Sequence, residues 1–186
     1  MNPFPDSPER WRSETLRLAE QAAALAEGRQ PEMLLWKPEP RAWCAAQCLQ
    51  HLVLVLRKML PAWSHALQTA HARERSLWRP TLGEKLMIRT LGPTPLLRLP
   101  VPAVYTPDED LSPPQVLEEF ADQHRRLPPL IEDADQRGML SLRMASPVVR
   151  RMRLSMGAWF AGTLVHEQYH LNQARAVLAL HERRRR

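Results

Sequence analysis

Residues 155–181 read SMGAWFAGTLVHEQYHLNQARAVLALH, and this stretch decides the fold. Ser155 is a helix-capping residue type, and Trp159, Phe160, Thr163, Leu164, His170, Leu171, Ala174 and Leu178 recur at helical spacing behind it. The pattern predicts one long helix from Met156 to about His181. Within it His166 and His170 lie four residues apart, so both imidazoles share one face, one turn from each other. Two such rings can hold two corners of a divalent metal's coordination sphere.

Working outward, three more helices of the same kind appear. Ser7-Pro8-Glu9 is a cap and first turn, Trp11, Leu18, Ala22, Leu25 and Ala26 make an apolar face, and Gly28 is a stop. After a loop at 31–40 with Pro31, Pro38 and Pro40, a second helix is expected from about Arg41. It carries the stripe Cys44, Cys48, His51, Val55 and Met59, with Pro61 kinking or ending it and a continuation through Trp63 and Leu67. The third opens at Ser112-Pro113-Pro114-Gln115, with Val116, Phe120, His124, Leu127 and Ile131 on one face. Pro128-Pro129 should disturb it, and Gly138 ends it. Pro147 marks one more break before the last helix. Residues 71–111, with six prolines, form a long crossover that could wrap the bundle and wall a pocket; Thr81-Leu82-Gly83-Glu84 predicts a short capped helix inside it. The expectation is an all-α four-helix bundle: a single domain over 1–186 with its core at about 8–181, the Pro-rich connection between helices two and three, and a basic tail at 182–186.

Composition narrows the function. Hydrophobic residues make up 44% of 186, which suits a packed globular domain. No basic-then-apolar leader opens the chain and no apolar run is long enough to span a bilayer, so a cytoplasmic protein is expected, with no membrane partner. Cys44 and Cys48, one turn apart on one helix, are poorly placed for a disulfide and read as small apolar core residues. The net charge of +6 includes the run Arg183–Arg186, a solvated tail, and the other arginines are mixed with acids; no specific nucleic-acid surface is expected.

The chemistry therefore rests on histidines. His51, on the stripe of the second helix, is the natural third corner beside His166 and His170, although a lone histidine on an apolar stripe is more often a packed core residue. His166-Glu167-Gln168-Tyr169-His170 also satisfies the H-E-x-x-H pattern of zinc proteases, in which the glutamate is the general base. The glycine and third histidine that extend that pattern are absent from Leu171-Asn172-Gln173-Ala174-Arg175-Ala176, and only 16 residues follow His170, so a protease is not expected. Glu167 is a candidate base or a packing carboxylate. His124 could reach the cleft or be a satisfied core histidine. Tyr169 could orient a substrate or simply pack, and Gln173 could support the ligands from behind. His65, His71 and His181 read as surface residues.

Three segments together resemble a known family. Trp43-Cys44-Ala45-Ala46-Gln47-Cys48-Leu49-Gln50-His51-Leu52 resembles the tryptophan-serine opening and histidine-leucine pair of helix two in the DinB-like metalloenzymes, the DNA-damage-inducible four-helix-bundle proteins. Leu111–Phe120 is similar to that family's third-helix start, Arg153–Gln173 to its final helix, and the Pro-rich 93–107 stretch to a connection in one branch; the resemblance covers about residues 8–181. It implies that His51, His166 and His170 bind a divalent metal, zinc or nickel, with open positions. It further implies a small-molecule substrate, hydrolase or thiol-dependent S-transferase chemistry with a low-molecular-weight thiol, and a role in stress response; a homodimer is a further expectation for the chain. Cys44 stands where the family has serine, which predicts a weaker helix cap, and the family does not require Glu167. The competing reading is a non-catalytic helical protein that dimerises or binds a partner through an apolar face, its metal site vestigial or structural.

Overall fold

A computed structural model describes residues 6–92, 101–149 and 151–185 of the chain. Among these residues there are six α-helices and one two-stranded sheet, which establishes the all-α class. Ser7 caps α1 (Pro8–Ala26) by accepting from the Arg10 amide, and Gly28, at φ 67°, takes the left-handed turn that follows. The expected loop at 31–40 contains a short helix, α2 (Pro31–Leu35), because proline suits a first helical position and Leu34 is buried against Cys44 and Ala46.

The second long helix, α3 (Ala45–Thr69), starts four residues later than Arg41 because Cys44 is its cap. The Cys44 sulfur accepts from the Gln47 amide at 3.4 Å while the Gln47 side chain accepts from the Cys44 amide at 3.2 Å, so the reciprocal box survives the sulfur-for-oxygen change. Neither Pro61 in α3 nor Pro128-Pro129 in α5 (Pro113–Gln136) ends its helix. Pro61 and Pro129 face outward, and buried side chains continue on both sides, Met59, Leu60 and Trp63 in one case, Leu127 and Ile131 in the other. That packing outweighs the ~3 kcal/mol or more that an interior proline costs. Ser112, expected to cap α5, makes no side-chain cap bond; Pro113 alone marks the start.

Capped by Ser155, α6 (Met156–Arg184) runs three residues past the expected end and into the basic tail, where Arg184 lies 5.5 Å over the Trp36 ring and Glu182 pairs with Arg29. Between α5 and α6 sits a hairpin that the periodicity did not signal, β1 (Arg143–Ala145) against β2 (Arg153–Ser155). Its strands are three residues each, too short to show alternation.

The four long helices pack as a ring: α1 and α3 each lie against both α5 and α6. Every residue from Leu154 to Val165 is buried, since the crossover covers the side of α6 that α1 and α3 leave open. The covering piece is α4 (Leu82–Thr90), opened by the predicted Thr81–Glu84 box. Glu84 is buried and does more than cap: one carboxylate oxygen accepts from the Thr81 amide and hydroxyl, the other from the Ser155 amide at 2.7 Å. Burial alone would raise its pKa, but these donors hold the carboxyl below its ordinary value. Trp78 packs edge-on against Trp11, donates to the Ser155 hydroxyl at 3.0 Å, and lies where a Cβ on Gly157 would stand 2.7 Å from its ring. The crossover is thus fastened to the start of α6. The prolines at 93, 95 and 100, and Arg186 of the tail, lie outside the described residues.

Candidate metal centre

The turn of α6 at 166–170 faces the second turn of α3, at His51. His51 comes from α3, His166 and His170 from α6, and one donor nitrogen of each lies within 4.8 Å of the others. The Nε2 atoms of His51 and His166 are 3.0 Å apart, and the His170 ring centroid is 4.6 Å from that of His51 and 4.5 Å from that of His166. Two nitrogens that share a cation at ~2.0–2.1 Å each must lie within ~4.2 Å of each other, and the 51/166 pair meets that condition. Trp43, from the turn before α3, lies 5.1 Å from the His51 ring and 5.8 Å from the His170 ring and walls one side.

Each imidazole has an oxygen at its back. His51 Nδ1 is 2.7 Å from the Tyr105 carbonyl, in a 3-10 turn (Ala103–Tyr105) of the crossover. His170 Nδ1 is 3.0 Å from Gln173 Oε1, and the Leu91 carbonyl, just past α4, faces His166. These acceptors call for N–H at the back of a ring and therefore a lone pair at its front. Electrostatics agree. Burial, then the neighbouring rings of His170 and His51, keep His166 well below the usual histidine pKa, against the pull of the Leu91 carbonyl. Burial and the His51 ring take His170 down to about 3, and burial lowers His51 despite the Tyr105 carbonyl. Neutral imidazoles directed at one another have acceptors and no donor between them. Such a set fits a divalent cation.

The remaining candidates divide. Gln173 stands behind His170 as the sequence suggested, and Tyr169 packs edge-on to it at 4.9 Å. Glu167 and His124 find each other: His124 Nε2 lies 3.1 Å from Glu167 Oε2, and both side chains are 1% exposed. His124 Nδ1 donates to the Phe120 carbonyl. Burial pulls the His124 pKa down, but the Glu167 carboxylate beside it more than offsets this and holds it above the ordinary value. Since α5 and α6 sit on opposite corners of the ring, this pair crosses the bundle's interior. Cys48, one turn before His51, is fully buried and its thiol is pushed up to about 12, so it remains a protonated apolar residue; Cys44 is likewise a free thiol. His65 and His71 are exposed as expected, whereas His181 is half-buried against Trp36.

The sequence suggested that the crossover could wall a pocket, but not which of its groups stand behind the imidazoles. Main-chain carbonyls such as those of Leu91 and Tyr105 have no sequence signature. Gln50, next to His51, had one: a polar residue on a helix otherwise rich in core side chains. It accepts from the Asp108 amide at 2.8 Å and donates to the Asp108 carboxylate at 2.7 Å.

Among curated proteins none matches the chain significantly. The family profile of the DinB superfamily matches residues 14–174, a span that contains all three histidines, the whole of α3 and α6 as far as Ala174. On that match, over most of its length, the chain belongs to the DinB superfamily.

Proposed function

We propose that the protein is a metal-dependent enzyme whose divalent cation, zinc or nickel, is held by His51, His166 and His170. The observation that carries this reading is the convergence of neutral imidazole nitrogens from two helices onto one point. Three protein donors leave at least one position of a four-coordinate or larger sphere for a substrate atom, as at catalytic rather than structural sites. A cation there supplies Lewis-acid chemistry, polarising a substrate oxygen or sulfur and lowering the pKa of a bound water or thiol. Trp43 gives an aromatic wall on which the apolar part of a small substrate can rest, and Tyr105 and Tyr169 place phenols near His51 and His170. Hydrolysis and thiol-dependent group transfer both use such a site. We assign Glu167 and His124 to positioning α6, because both side chains are 1% exposed and Glu167 Oε2 is held by His124 Nε2 at 3.1 Å across the bundle's interior, while Glu167 Oε1 is buried with no hydrogen-bond partner among the described residues. The reading carries with it a cytoplasmic protein acting on a small molecule.

Elemental analysis of the purified chain, with anomalous scattering at the site, tests the proposal. Near-stoichiometric zinc or nickel, lost in His51→Ala and His170→Ala, is the expected result. Conjugation of an electrophile that accelerates only with thiol and metal together selects the transferase chemistry. Metal-free protein whose stability is indifferent to added zinc and nickel would overturn the assignment. One observation favours a second reading, an interaction protein or homodimer: Leu77, Leu82 and Leu86 of the crossover are 77%, 84% and 56% exposed. Sedimentation of the wild type against Leu82→Ser/Leu86→Ser decides it.

A further inference from the structure

We infer that Gln173 and Gln50 are positioning residues of the histidine site, which set the imidazole tautomers from behind and thereby its affinity for a cation. The inference rests on the metal reading for its affinity arm and on the hydrogen-bond geometry alone for its tautomer arm. A neutral imidazole has one N–H, and the nitrogen that bears it is decided by what the other nitrogen faces. Opposite His170 Nδ1 stands Gln173 Oε1 at 3.0 Å, an acceptor, which places the proton on Nδ1 and leaves Nε2 as the donor atom of the site.

His51 receives the same instruction by a longer route. Gln47, Gln50 and His51 share one face of α3, at i, i+3 and i+4, and all three grip the same short stretch of the crossover. The Gln47 amide donates to the Asp108 carbonyl at 3.0 Å, Gln50 exchanges two bonds with Asp108 at 2.8 and 2.7 Å, and His51 Nδ1 meets the Tyr105 carbonyl at 2.7 Å. The two bonds from Gln50 therefore deliver, three residues upstream of Asp108, the carbonyl that orients His51. The side-chain hydrogen bonds of Gln50 go to Asp108, so it acts through this stretch. At Gln173 the group is a side-chain amide, which can present either end; a carboxylate presents only acceptors and a leucine presents neither.

The experiment uses the full chain in two arms. Long-range ¹H–¹⁵N NMR of the metal-free protein reads tautomers directly: His51 and His170 are expected as Nδ1–H in the wild type, with His170 turning to a mixture in Gln173→Leu and His51 in Gln50→Leu. Zinc titration against a competing chelator reads affinity. Both leucine variants are expected to weaken binding about 10–100-fold, and Gln173→Glu to equal or exceed the wild type. A purely structural role for either glutamine would lower the melting temperature of the metal-free protein and leave affinity and tautomer untouched. Gln173 is only partly buried, so its variants keep the core intact and the test decisive even where Gln50→Leu does not fold. Nε2–H tautomers in the wild type, or leucine variants that bind zinc within about twofold of it, overturn the inference. A wild type with the expected tautomers and no affinity for zinc removes the proposed function and leaves the role of the glutamines standing.

Discussion

Acid should unfold the metal-free protein early, through the three site histidines. In the folded chain their pKa values lie below the ordinary 6.5, His170 at about 3 and His166 well down, first of all because of burial. Unfolded, each takes a proton as the pH falls through ~6.5. Below that point the unfolded state binds more protons, so stability falls with pH, by ~1.4 kcal/mol per pH unit for each proton of difference. With up to three protons at stake the slope reaches about 4 kcal/mol per unit, and a domain with a typical ~5–15 kcal/mol in hand loses much of it between pH 6.5 and 5. His124 has the opposite sign. Its raised pKa contributes stability that is fully present below ~6.5 and lost only as the pH rises through the folded value, so it does not flatten the acid limb. Glu84, held below its ordinary value, begins to lose its contribution only in stronger acid, as the pH falls toward its folded pKa. The assay is urea unfolding of chelator-treated protein at half-unit steps from pH 7 to 5, with His170→Gln, which should reduce the slope by about one proton. A free energy of unfolding that is level between pH 6.5 and 5, or a slope that His170→Gln leaves unchanged, would refute the reasoning.

Zinc at about 100 times its dissociation constant should stabilise the protein by ~2.7 kcal/mol, a rise of about 5–10 °C in melting temperature for a chain of this size, absent in His51→Ala; differential scanning fluorimetry checks it. Glu167→Ala should cost ~3–5 kcal/mol because it strips a buried histidine of its partner, and the double change His124→Leu/Glu167→Leu should recover most of that in urea unfolding. Gly157→Ala should destabilise by about 1–3 kcal/mol, since the new methyl meets a Trp78 ring held in place by its bond to Ser155; near-neutral behaviour would show that the crossover yields there.

What could be read from the chain, and what could not, follows from the kind of signal each element carries. The helices announce themselves through caps and apolar spacing: Ser7 and Ser155 of two long helices, and Thr81 of the short α4, sit where the structure uses them. The histidine set was legible because a four-residue spacing is a statement about direction in space, and His51 lay on a stripe whose inward face was already known. Prolines were legible in part: α3 continues past Pro61 through Trp63 and Leu67, as the reading allowed, whereas Pro128-Pro129 does not end α5, since a proline's cost is local and fixed while the packing of Ile131 that overrides it is tertiary. The hairpin at 143–155 was silent because three-residue strands have no period. The backs of the imidazoles were silent too: one is an amide seen only as a possible support, and the other two are carbonyls that any residue at 91 or 105 would provide.

The protease-like run shows why spacing has to be read as angle. On α6, taking His166 as zero, His170 comes round at about 40° and Glu167 at about 100°. The two histidines therefore look at α3 while the glutamate, one position on, is turned toward the bundle's interior, where His124 waits on the opposite corner. In a metalloprotease the glutamate at that position works on the cation's own side. Here one oxygen of the Glu167 carboxylate is held by His124, and breaking that buried pair would cost on the scale of ~3–5 kcal/mol, while the other oxygen, Oε1, is buried with no hydrogen-bond partner among the described residues. The same five residues thus serve two purposes on two faces: a pair of donors outward, toward α3 and the crossover, and a tie inward that keeps the helix from rotating. Loss of the tie should for that reason disturb the donor geometry as well as the fold, and that shared dependence gives α6 its combined structural and chemical role.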